Sequence, residues 1–125
     1  MHNYFFVKIN GKYTRINFNE ILFIEGCRNY VKIITEKKSH LILFSMKRLE
    51  QLLPKRMFIR IHKSFIVSLE KINEFNKELV VIADRTLPIG NQFRGSLEKM
   101  VNIISEDNFS IFNIINHETL MTTVN

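Results

Sequence analysis

Apolar residues recur at every second position over much of the chain, in short segments broken by polar clusters, a pattern that predicts strands joined by tight turns. Residues 4–9 and 12–18 flank Asn10-Gly11, the dipeptide that most readily supplies the two positive-φ residues of a type I′ turn, and predict a hairpin. Residues 21–24 read as a short buried strand, 29–35 as another, and 40–44 as its partner across the polar turn Glu36-Lys37-Lys38-Ser39. Residues 72–75 and 79–83 predict a third hairpin around Asn76-Lys77-Glu78, after which Asp84-Arg85 turns the chain into a strand over 86–89.

Two stretches carry helical spacing instead. Ser45 is a suitable N-cap, followed by Met46, Leu49, Leu52 and Leu53, with Pro54 closing a short amphipathic helix. After Gly90, the residues Phe93, Leu97, Met100, Val101 and Ile104 predict a C-terminal helix with one apolar face. The expected fold is therefore mainly β: several small antiparallel sheets, one short internal helix and a C-terminal helix. Residues 58–69 hold a conflict, because Ile59, Ile61, Phe65, Val67 and Leu69 share one alternation phase and Lys63 falls in it. A straight strand would bury an unpaired ammonium at a cost of several kcal/mol, so the chain is expected to kink or bulge at His62-Lys63-Ser64 and carry the lysine to a rim.

Composition adds exclusions. With 125 residues, 46% hydrophobic and 24% charged, the chain has the size and balance of one globular domain with a core. Its longest apolar runs, such as 21–24 and 79–83, fall far short of the ~18 residues of a membrane helix, and the start lacks the layout of a secretory signal. A cytoplasmic location without membrane contact is expected. Cys27 is the single cysteine, so it closes no internal disulfide, and with the scattered His2, His40, His62 and His117 it builds no structural zinc site. Residues 105–125 carry three acids and no Lys or Arg, which sets a boundary between a basic domain over 1–104 and a tail over 105–125. The tail's Phe109, Ile111, Phe112, Ile114 and Ile115 suit packing on the domain or on a partner.

Charge then points to a class of partner. From Gly26 to Lys63 there are ten basic residues and two acids, a net +8, more than the whole chain's +6. That is the footprint of a polyanion binder, although for Lys37, Lys38, Lys55 and Lys77 a solvated turn explains the charge as well. Three clusters mix charge with groups suited to base edges. Arg28-Asn29-Tyr30 follows Glu25-Gly26 at a loop tip, where Arg can pair with guanine and Asn with adenine; Tyr30 suits packing on a sheet equally well. Arg60-Ile61-His62-Lys63-Ser64 contains the phase conflict, and Lys63 is its stronger candidate because a lone His62 is more often structural. Asn91-Gln92-Phe93-Arg94 opens the last helical segment, where Asn91 could equally be a plain cap. Catalysis lacks support: no nucleophile has a motif-level partner, none of the four glycines belongs to a phosphate-cradling loop, and no cofactor is implied.

In this order the segments resemble the LytTR-type DNA-binding domains of bacterial transcription regulators. The resemblance is carried by Ile21-Leu22-Phe23-Ile24-Glu25-Gly26 with Asn29-Tyr30-Val31, by Phe44-Ser45-Met46-Lys47-Arg48-Leu49-Glu50 with Leu53-Pro54, by Phe58-Ile59-Arg60-Ile61-His62-Lys63-Ser64-Phe65-Ile66-Val67, and by Ile72 and Leu87-Pro88-Ile89-Gly90 with Phe93-Arg94. The chain departs from many members at Lys63, Ser68 and Gly90-Asn91. The resemblance implies a mostly β fold that reads double-stranded DNA through loops. Arg28, Asn29 and Tyr30 would contact DNA from the first, His62 and Lys63 from the second, and Asn91, Gln92 and Arg94 from the third; Arg60 joins the expected DNA-binding residues as a member of the second charged cluster. It further implies either the output domain of a two-component response regulator, with a receiver or other sensor domain outside this chain, or equally a free-standing regulator; the favoured reading adds self-association on repeated sites. Two other readings compete: a small basic β module for RNA or single strands, which would need exposed aromatics on one sheet face, and a protein-interaction domain working through the apolar tail.

Overall fold

A computed structural model describes residues 2–105 of the chain. Its first hairpin pairs β1 (Tyr4–Ile9) with β2 (Lys12–Asn17), and Ile9 faces Lys12 across the expected two-residue turn. Asn10 and Gly11 both take positive φ, 51° and 77°, as a type I′ turn requires. Space around Gly11 is open, with nothing within 4 Å of an added Cβ, so any penalty for a side chain there comes from backbone conformation alone. Gly11→Ala should therefore lower the unfolding free energy by about 1–2 kcal/mol, read as a shifted urea midpoint at unchanged slope. An unchanged midpoint would show that the hairpin adds nothing to global stability.

A five-stranded antiparallel sheet forms the middle of the fold, with strand order β5-β4-β3-β7-β6. These strands are β3 (Ile21–Cys27), β4 (Tyr30–Thr35), β5 (Ser39–Leu43), β6 (Phe58–His62) and β7 (Phe65–Ser68). Ile21, Phe23 and Ile24 on the central strand are fully buried, as a strand paired on both edges should be. Between β5 and β6 runs α1 (Met46–Leu52), capped as expected by Ser45, whose Oγ accepts a hydrogen bond from the Arg48 amide at 3.1 Å. Leu49 and Leu53 are buried beside Ile16, Phe18, Val31, Ile33, Phe58 and Ile66 in the main core, where Phe18 meets Phe58 edge to face at 6.0 Å. Leu52, expected on the same apolar face, is instead exposed. A third sheet, β8 (Glu74–Phe75), β9 (Leu79–Ile82) and β10 (Arg85–Pro88), buries Val80, Ile82 and Leu87 and lays the Arg85 guanidinium 5.0 Å over the Phe23 ring.

Three expectations need correction. The conflict at Lys63 is resolved by a complete reversal rather than a kinked strand: β6 and β7 are separate, His62 faces Phe65, and Lys63-Ser64 is the turn between them. The register also slips between Arg60 and His62, which frees the chain from strict alternation just before the turn. The first strand before the Arg28-Asn29 turn is longer than expected, so Gly26 lies inside β3 instead of ending it. The C-terminal helix does not form over the described residues. Short 3₁₀ turns occupy Asn91–Phe93 and Leu97–Lys99, separated by an extended Arg94 (ψ 137°) and by Gly95 at φ 86°. Apolar spacing alone cannot carry a helix through such a left-handed residue. Met1–Arg94 is one compact unit and a second begins at Gly95; the expected tail lies outside the described residues. Among the described residues no helix is long and apolar enough to cross a membrane.

Candidate functional site

Antiparallel pairing brings one set of turns to one end of the five-stranded sheet. Cys27 pairs with Tyr30, Tyr30 with Leu43, Glu25 with Phe65, and His62 with Phe65. The Arg28-Asn29 turn, the Lys63-Ser64 turn and the link from β5 into α1 thus emerge side by side. Backbone hydrogen bonds tie them: the Gly26 amide donates to the Ser64 carbonyl at 2.9 Å, and the Phe44 amide to the Asn29 carbonyl at 3.1 Å. Together they border a cavity of about 520 Å³ lined by Arg28, Asn29, Ser45, Arg48, Lys63 and Ser64, among others, with no acid in its wall among the described residues. Gly26 also lines it and packs closely on α1, since a Cβ there would meet the Met46 Cγ at 2.8 Å.

Arg28 sits at the tip with φ 57°, a left-handed conformation that costs a non-glycine residue about 1–2 kcal/mol. Its side chain and that of Asn29 are exposed. Lys63 is exposed on the neighbouring turn, and Arg48 stands over the Phe44 ring at 4.9 Å. Three cations, a carboxamide and two hydroxyls therefore face one concavity, a donor-rich set that suits an anionic ligand with hydrogen-bonding edges. Tyr30 is 44% exposed on β4, adjacent to this set but outside the cavity wall.

The second cluster divides into groups with different positions. His62 is half-buried, and its Nδ1 accepts from the Ser64 amide at 3.0 Å, which leaves the Nε2 proton available to a ligand. Arg60, expected to bind, is instead engaged within the fold. Its guanidinium donates to the Glu50 carboxylate at 3.0 Å, to the His62 carbonyl at 3.3 Å and to the Lys63 carbonyl at 2.5 Å. It braces the turn that presents Lys63. A lysine cannot reproduce this fork, so Arg60→Lys should reduce stability by about 1 kcal/mol and move the amide resonances of Lys63 and Ser64; unmoved resonances would show that the brace is dispensable.

The third cluster joins the second through backbone. The Gly90 amide donates to the Ile61 carbonyl at 2.8 Å, and a Cβ on Gly90 would lie 3.5 Å from the His62 ring. Asn91, Gln92 and Arg94 are exposed beyond this junction and do not line the basic cavity. The cap position of this turn is held by Gly90, and Asn91 is the first residue inside it rather than its cap. Sequence reading missed Arg48, Ser45 and Ser64 as members of the cavity. Arg48 was visible only as part of a charge run, and its placement follows from the Ser45 cap, which aims the first turn of α1 at the sheet end.

Comparison with known proteins gives a consistent result. In the search of solved structures, the LytTr DNA-binding domain of a protein described as a methyl-accepting/DNA response regulator from Bacillus cereus superposes with a TM-score of 0.70 over 82% of this chain and 100% of that one, at 20% identity. At that identity the likeness shows the fold. No similar sequence is found among curated proteins. The family model of the LytTr DNA-binding domain matches residues 11–109, a span that includes the five-stranded sheet and all three loop clusters, and the chain belongs to that family of DNA-binding domains.

Proposed function

We propose that the chain binds duplex DNA at specific sequences as the output module of a bacterial transcription regulator of the two-component type. The observation that supports this most directly is the acid-free cavity at the sheet end, where Arg28, Asn29, Arg48 and Lys63 converge from three separate segments. Arg28, Asn29 and Lys63 are suited to base edges in the major groove, and Arg48 to a phosphate. His62 offers its Nε2 proton beside them, while Asn91, Gln92 and Arg94 form a further contact region next to His62. Arg60 acts through the loop as a positioning residue. Tyr30 supports the first turn, with its hydroxyl within the reach of a backbone phosphate.

The rival single-strand reading has one feature in its favour, the exposed Phe6 and Tyr13 on the first hairpin. Arg15, however, lies 3.8 Å over Tyr4 and 5.0 Å over Phe6, so a cation already covers faces that bases would need for stacking. Selection of bound sites from a random duplex pool, followed by competition with single-stranded DNA and RNA of the same sequence, tests the proposal. A recovered motif that only duplex competes for supports it. Equal competition by all three nucleic acids sinks it. Under this proposal two copies pair on repeated sites, so the recovered motif should occur in pairs, and a receiver domain is supplied by chain outside this one.

A further inference from the structure

A second cavity lies away from the basic one and has the opposite character. It is about 760 Å³ in volume and bounded by β1, by the inner positions of β4 and β5, and by α1 with the residues that follow it. Val31, Ile33, Ile42, Phe44, Leu49 and Leu53 are among the apolar residues of its wall, with Phe5 and Phe18. A cavity in the range of roughly 300–1,000 Å³, mainly apolar with a few polar groups, is what small-molecule sites look like. Among the described residues its charged lining is of one sign: Lys8 from β1 and Lys55 after α1, with His2 also in the wall and no carboxylate. Both lysines are exposed, and neither belongs to an ion pair among the described residues; the Lys8 ammonium also lies over the Tyr13 ring at 6.0 Å from its centroid.

We infer that this cavity is a binding site for a monomeric anionic amphiphile, an acid group on an alkyl or aromatic body, held by the apolar wall with its acid at Lys8 and Lys55. Two features select this ligand class. The apolar wall leaves a compact polar ligand without partners for its hydrogen bonds, at a cost in desolvation. The cationic rim without acids favours a negative head over a neutral or positive one, and the concave wall between β1 and α1 favours a single molecule over a flat lipid surface. The site is separate from the DNA reading, and only Phe44 lines both cavities.

The test titrates the full chain with dodecanoate below its micelle concentration, with dodecanol and dodecylamine as head-group controls, and follows the methyl resonances of Ile33, Ile42, Leu49 and Leu53. The expected result is saturable movement of these methyls with dodecanoate, and affinity about tenfold weaker for both controls. The exposed pair Lys8→Glu with Lys55→Glu should fold normally, lose about tenfold in dodecanoate affinity and gain affinity for dodecylamine. Equal binding of all three amphiphiles, or movement confined to other methyls, overturns the proposal. So does binding only to anionic vesicles, which would mark the groove as a membrane contact. No binding to the full chain likewise overturns it, whether residues 106–125 or a second copy fill the groove instead.

Discussion

Raising salt from 50 to 200 mM should weaken duplex binding by roughly 250- to 16,000-fold, because five to eight neutralised phosphates give a slope of log K against log[salt] of roughly −4 to −7. The count follows from where the cations stand. Ion pairs among the described residues engage Arg60 with Glu50 and Lys71 with Glu36, and leave Arg28, Arg48 and Lys63 unpaired around the basic cavity. Lys47, next to Arg48 on α1, and Arg94 are exposed and add to the same field. The experiment is a fluorescence-anisotropy titration of one selected duplex at five salt concentrations. A slope near zero would mean that binding, if present, does not run through the basic residues.

The second large effect separates specific from diffuse attraction. Lys63→Ala should leave stability within about 0.5 kcal/mol of the parent, since the exposed turn residue contributes no core contact. It should cost roughly 1–3 kcal/mol on the selected site if the ammonium reads a base, about 5- to 150-fold in affinity. The control is Lys37→Ala. Lys37 lies in the turn between β4 and β5, and the six residues of β4 separate it from Arg28-Asn29 by about 20 Å. It carries the same charge and takes no part in the cavity. Affinities for selected and scrambled duplexes at one salt concentration decide the matter: loss confined to Lys63→Ala on the selected site supports base reading. Small, equal losses for both lysines would reduce the role of the turn to bulk charge.

Local chemistry made much of this fold legible. Asn10-Gly11 and Ser45 encode their turn and cap within two to three residues, so no tertiary information was needed to place them. Lys63 was legible because a charge in an apolar phase has few inexpensive solutions, although a two-residue reversal and a kink relieve the conflict equally and the sequence does not distinguish them. The bracing contacts of Arg60 were illegible for a different reason. Its place depends on Glu50, ten positions earlier on a helix whose orientation is set by packing. The C-terminal helix failed at Gly95, where apolar spacing outweighed the signal of a residue that readily turns left-handed. Arg48 entered the cavity through long-range assembly, which no local pattern reports.

The hydrogen bonds that hold the three loops together run from main chain to main chain: Gly26 to Ser64, Phe44 to Asn29, and Gly90 to Ile61. A frame of that kind is indifferent to most of the side chains it carries. Positions 29, 63, 91 and 92 can exchange residues without disturbing the geometry that presents them, and position 28 can exchange among residues that tolerate its left-handed backbone, whereas 26 and 90 are hemmed in by Met46, His62 and Phe93. Recognition is thereby uncoupled from architecture. A gene duplication could redirect such a domain to a new operator by a handful of codon changes at the tips, and an engineer could randomise those same positions in a library while expecting nearly every member to fold.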